Sequence, residues 1–187
     1  RSYSSALGIP MPQVGTIPAF NAFAMGYSHK DAPIAIGEPL TTRLNPAELA
    51  AVIGHELGHV VSGDMRRMML MRTFQNATVW FAFSQRAMQF TRWVFSWVAE
   101  LSILAFSRRR EFFADAIGAG LAGKEAMIGA LRKLEQGPKL TRAENTNARF
   151  MFRGRRSLLS THPSTASRIR ALEQETYIRR LPQRSSR

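Results

Sequence analysis

The chain has 187 residues, 26 Lys+Arg against 13 Asp+Glu, and no Cys, for a formal net charge of +13. That length suits one domain with a sizeable core, and an apolar content of 45% excludes a disordered basic tail. Lack of Cys excludes a disulfide scaffold, a Cys-ligated zinc finger and a cysteine nucleophile, and is neutral about redox compartment.

Residue 1 is Arg rather than Met, as expected of a fragment or processed product with any signal or anchor upstream. Five of the nine prolines fall within residues 1–40, interleaved with Gly8, Gly15, Gly26 and Gly37. The apolar runs between these breaks, Gln13–Ile17, Asn21–Met25 and Ile34–Ile36, are too short for helices and predict a small sheet. Asn45-Pro46-Ala47-Glu48 then reads as a helix start. Asn45 caps, Pro46 suits the first helical position, and Glu48 completes a capping box. Leu49, Val52, Ile53, Leu57, Val60 and Val61 follow at helical spacing, and Gly63 is placed to stop or kink the helix.

Residues 74–106 hold nine of the 18 aromatic residues, including all three Trp. Arg86, Arg92 and Glu100 interrupt them, so no charge-free stretch reaches the roughly 20 residues of a membrane span. The pattern predicts a helical hairpin that is buried, interfacial or re-entrant. A helix through Glu111 to about Ala122 follows, with Gly123 as its stop. Another covers Lys124–Glu135 with Met127, Ala130, Leu131 and Leu134 on one face. A basic loop begins at 136, and a last helix starts after Pro163 with Ala166, Ile169 and Leu172 facing inward. The elements describe one α+β domain over 1–187, mainly α.

Charge is uneven. Residues 132–187 carry 14 Lys+Arg against four acids, net +10, and the first 131 carry 12 against nine, net +3. No helix-turn-helix, RNA-recognition or zinc-finger pattern accompanies the basic tail, so no nucleic-acid partner is expected. Arg108, Arg109 and Arg110 follow the aromatic segment, a placement that favours a membrane surface.

His55-Glu56-Leu57-Gly58-His59 is an H-E-x-x-H sequence. On a helix, residues four apart project from one face, so two neutral imidazoles can bind one Zn²⁺. Glu56 lies beside them without being a ligand and is placed as general base toward a water whose pKa zinc lowers to about 7. A catalytic zinc needs a third protein ligand. A metzincin would place a His six residues after His59, where Met65 stands. His29, His162 and a later carboxylate remain, with Asp64 a weaker candidate. Glu111 and Asp115, again four apart, share a helical face. One can ligate while the other accepts an N–H from a ligand histidine, although Arg108–Arg110 are alternative partners for Glu111. His162, before Pro163, reads either as a capping or core histidine or as an oxyanion donor. His29 reads as a surface loop residue.

Five pieces occur in order: Asn21-Ala22-Phe23-Ala24; Val52-Ile53-Gly54-His55-Glu56-Leu57-Gly58-His59; Ser62-Gly63-Asp64-Met65; Arg110-Glu111-Phe112-Phe113-Ala114-Asp115-Ala116; and Thr161-His162-Pro163. With them the chain, from about Met11 to Ile178, resembles the HtpX-type membrane metallopeptidases, gluzincins related to the CAAX prenyl proteases. The resemblance implies a zincin-like domain with one Zn²⁺ held by His55, His59 and Glu111. It implies that Asp115 orients His55, that Glu56 and His162 act in catalysis, and that Asn21, Ala22, Phe23 and Ala24 form an edge strand for an extended polypeptide substrate. It further implies proteolytic quality control of membrane proteins at a bacterial inner membrane, with the catalytic domain facing the cytoplasm. One departure stands out. Such proteins carry two spans between the two metal-binding helices, whereas here 51 residues with broken apolar stretches separate His59 from Glu111. The alternatives are a soluble or periplasmic zinc peptidase of the same superfamily, or a basic binding module with a structural metal.

Overall fold

A computed structural model describes residues 2–25, 30, 32–63, 67, 69–71, 73–74, 89–137 and 163–177. The three short apolar runs form strands β1 (Val14–Ile17), β2 (Ala22–Ala24) and β3 (Ile34–Gly37), in the order β1-β3-β2. β3 pairs parallel to β1, with Val14 opposite Ile34, and antiparallel to β2, with Ala22 opposite Ile36. All four residues of the central β3 are buried, while β1 is largely exposed.

Two helices flank the sheet where the Pro and Gly pattern predicts strands and turns alone. α1 (Ser2–Leu7) precedes the first break at Gly8, and its Tyr3 and Leu7 pack against Ile34, Ile36 and Leu57. α2 (Glu38–Arg43) carries Pro39 in its first turn, where the missing N–H leaves no hydrogen bond unmade. Neither element is long enough to show a hydrophobic period.

α3 (Pro46–Val61) starts as its capping box requires. The Asn45 side chain accepts from the Glu48 N–H at 2.8 Å, and Glu48 Oε2 accepts from the Asn45 N–H at 2.8 Å. A cap of this kind stabilises by about 1 kcal/mol. Lys133 also donates to Glu48 Oε2, at 2.6 Å, tying the helix start to a neighbouring helix. Beyond Val61, Gly63 has φ +62°, a left-handed conformation that ends the helix without side-chain strain.

α4 runs unbroken from Gln89 to Ala122. The second arm of the expected aromatic hairpin and the expected Glu111 helix are therefore one element, about 51 Å long at 1.5 Å per residue. No Gly or Pro interrupts it before Gly118. The hairpin's residues 75–88 lie outside the described ones. Among the described residues, no helix is long and apolar enough to cross a membrane. α5 (Lys124–Glu135) follows at Gly123, whose φ of +101° makes the corner. α6 (Thr165–Glu173) is capped by the Ser164 side chain. Of the basic loop expected over 136–160, residues 138–160 lie outside the described ones.

α3 and α4 cross on a seam of small residues. A Cβ on Gly58 would lie 3.0 Å from the Ala114 Cα, and one on Gly54 would lie 3.0 Å from the Gly118 Cα. At Gly118 an added Cβ would lie 2.7 Å from the Ala51 carbonyl. The missing side chains let the backbones approach closely, which brings the 111/115 face of α4 against the 55/59 face of α3. Met127, Ile128 and Leu131 of α5, with Leu172 of α6, close the core around Ala51 and Ala119.

Candidate active site

His55, Glu56 and His59 lie in the middle and last turns of α3. Glu111 and Asp115 lie four residues apart on α4 and face them. His55 Nε2 is 3.2 Å from His59 Nε2 and 3.9 Å from Glu111 Oε2. His59 Nε2 is 3.6 Å from Glu111 Oε1. His55, His59 and Glu111 each offer one ligand atom, and these atoms lie within 4.8 Å of one another. Tetrahedral ligands at about 2.0–2.1 Å from a zinc ion stand about 3.3 Å apart, so these separations bracket what one such ion needs. Two imidazole nitrogens and one carboxylate are also a donor set that suits zinc. The residues present therefore fit a metal ion.

His55 is buried, and its Nδ1 lies 2.9 Å from Asp115 Oδ1. An ionised carboxylate can only accept, which places the proton on Nδ1 and the lone pair on Nε2, toward His59 and Glu111. Burial pushes the His55 pKa down, against the upward pull of Asp115, and keeps the ring neutral. For Asp115, burial acts to raise the pKa, but Arg168 and His55 together outweigh it and hold the carboxyl below the usual range.

Glu56 is 2% exposed and accepts a hydrogen bond from the backbone N–H of Ala24 at 3.1 Å. Burial pushes its pKa up to about 7. His59 and the Ala24 N–H pull it down, while the Glu111 charge pushes it further up. A carboxyl group poised near neutral pH is matched to taking and returning a proton.

β2 is an edge of the sheet. Met25 N–H bonds the Pro33 carbonyl and Gly37 N–H bonds the Asn21 carbonyl, so residues 21 and 25 face β3, while Ala24 N–H points away from it to Glu56. Of the four residues expected along the cleft, Asn21, Phe23 and Ala24 are half-buried. Ala22 is 0% exposed and packs with Leu40, Leu44 and Val52. The reachable edge is therefore shorter than the sequence suggests. His162, with His29 and Asp64, lies outside the described residues.

One site residue escapes the sequence reading. The predicted inward face of α6 was Ala166, Ile169 and Leu172, but Ala166 is exposed and Arg168 is 2% exposed. Arg168 Nε donates to Asp115 Oδ2 at 2.7 Å and its Nη2 donates to Asp115 Oδ1. Its Nη1 lies 3.7 Å from Glu111 Oε2. The signal available was its position four residues before Leu172, on the helix's apolar face.

Comparisons with known proteins agree with this geometry. The sequence model of Peptidase family M48 matches residues 2–176. Protease HtpX of Stutzerimonas stutzeri (strain A1501) is 38% identical over 201 residues, covering 91% of this chain and 69% of the relative. Protease HtpX of Pseudomonas putida (strain KT2440) is 40% identical over 201 residues, covering 91% of this chain and 68% of the relative. A crystal structure of S. mikatae Ste24p superposes with a TM-score of 0.64 at 16% identity, over 92% of this chain. The chain spans about half of that protein (48%), and at this identity the likeness speaks for the fold. Family membership does not favour a basic binding module. With an H-E-x-x-H helix facing a buried glutamate across a small-residue seam, this chain belongs to peptidase family M48 and is a metalloendopeptidase.

Proposed function

We propose that the site is a zinc endopeptidase centre with one Zn²⁺ per chain, held by His55, His59 and Glu111. The carrying observation is that their three ligand atoms lie within 4.8 Å of one another, with Glu56, itself buried, next to His55 on the same helix. Bound zinc supplies Lewis acidity, lowering the pKa of water to about 7. Glu56 accepts the proton of the attacking water and returns it to the leaving amine. Ala24 N–H keeps the Glu56 carboxylate aimed while it does so. The half-buried edge at Phe23 and Ala24 receives the substrate in extended form, with the outward Ala24 carbonyl as acceptor, since the Ala24 N–H is held by Glu56. His162 donates to the oxyanion.

The substrates are membrane proteins, and the setting is the cytoplasmic face of a bacterial inner membrane, in proteolytic quality control. Supporting this are the HtpX relatives and exposed apolar side chains at the end of α3, after it and on α4: Val61, Met69, Leu70, Phe74 and Trp97. Arg108–Arg110 place cations on the same long helix. Metal analysis of the purified chain, coupled to cleavage of an unfolded polypeptide with and without chelator, tests the centre. One equivalent of zinc and chelator-sensitive cleavage are expected, and cleavage unaffected by zinc removal would overturn it. Co-sedimentation with anionic vesicles tests the setting, with binding expected and equal partitioning with and without vesicles overturning it.

A further inference from the structure

Arg168 arrives from α6, 53 residues beyond Asp115, and is buried beside the metal centre, whereas Arg170 of the same helix is exposed. Its guanidinium grips both oxygens of Asp115 through Nε and Nη2, a two-pronged geometry that fixes the carboxylate plane. The same Oδ1 that Arg168 holds is 2.9 Å from His55 Nδ1. Nη1 lies 3.7 Å from Glu111 Oε2, so one guanidinium reaches both carboxylates of α4. Burying an arginine costs free energy unless its charge is matched. Here Glu56, Glu111 and Asp115 are three buried carboxylates, and Arg168 together with one divalent cation neutralises them.

We propose that Arg168 is a positioning residue of the metal centre: it locks Asp115 in the orientation that points His55 Nε2 at the metal, and it couples docking of α6 to metal binding. This rests on the zinc site proposed above. It also explains why a helix distant in sequence carries a buried cation. Removing an outer partner of a metal ligand weakens metal binding about 10–100-fold.

The test is zinc affinity by competition with a chromophoric chelator, on the full chain, with folding checked by circular dichroism. Arg168→Gln should weaken zinc binding about 10–100-fold while the helical signal is kept. The fold has other anchors for α6, since Leu172 is buried in the core and Tyr177 stacks on Phe112 at 5.2 Å. Arg168→Lys keeps the charge but loses the fork, and should fall between the two; it also serves if Arg168→Gln does not fold. Because Arg168 acts through Asp115, adding Arg168→Gln to Asp115→Asn should weaken zinc binding by less than about threefold more. Unchanged zinc affinity in a folded Arg168→Gln or Arg168→Lys protein would overturn the proposal, as would a full additive loss in the Asp115→Asn background. If the unsubstituted chain binds no zinc, the site reading fails and this inference fails with it.

Discussion

The backbone N–H of Ala24 donates to Oε2 of Glu56 across 3.1 Å, joining the edge of the sheet to the metal-binding helix. The contact spans 32 residues of sequence and exists because β2 presents alternate amides away from β3. One strand thus orients a carboxylate that stands beside the metal ligands.

Glu56→Gln removes the base and keeps size and hydrogen bonding to Ala24. Peptide cleavage should fall by at least about 100-fold, the usual contribution of a positioned base. Zinc content should stay at one equivalent. Full cleavage by that variant would end the general-base assignment.

Glu111→Ala removes a donor that stands 3.6 Å from His59 Nε2. Losing a direct ligand should cost more than the 10–100-fold attached to an outer partner. Chelator competition should show loss of tight binding, and stoichiometric tight zinc would remove Glu111 from the ligand set.

Ala24→Pro deletes the N–H that Glu56 accepts and leaves the β3-facing bonds of residues 21 and 25 in place. Cleavage should drop about tenfold or more at unchanged zinc content, from a misaimed carboxylate. Wild-type rates in a folded variant would separate β2 from the chemistry.

The metal-free chain should carry a pH signature of Glu56. Its folded pKa of about 7 stands above the ordinary 4.5, so between these values the folded state binds the extra proton. Stability from this group is fully present below pH 4.5 and is lost as pH rises to 7, by about 3 kcal/mol. His55, whose pKa is lowered, acts oppositely: the unfolded state takes its proton first, so its contribution grows as pH rises toward 6.5. The difference between the denaturation curves of the parent and Glu56→Gln isolates Glu56. It should grow in favour of Gln from pH 4.5 to 7, and a pH-independent difference would show that folding leaves the Glu56 pKa unshifted.

The H-E-x-x-H helix was legible in the sequence because everything that makes it is local. Asn45, Pro46 and Glu48 start it within four residues, and the four-residue interval from His55 to His59 sets their shared face. Strands β1–β3 were legible for the same reason, bounded by Pro and Gly a few residues away. Glu111 and Asp115 were legible as a pair, and the family resemblance supplied their histidine partners, but not Arg168, which reaches both.

What only the tertiary structure decided depends on distance. Gly54 and Gly58 meet Ala114 and Gly118 because the helix backbones need room to approach, and no local pattern announces which helix a glycine faces. Ala22 belongs to the expected edge yet is wholly buried, because helix packing covers it from outside the strand. Arg168 looks in sequence like one more cation of a basic tail. Only folding places it 2.7 Å from Asp115, where burial without that carboxylate would be prohibitive. Residue identity and spacing determined which chemistry this protein can perform; long-range packing determined which side chains are dry, paired and aimed, because desolvation and ion pairing depend on neighbours in space.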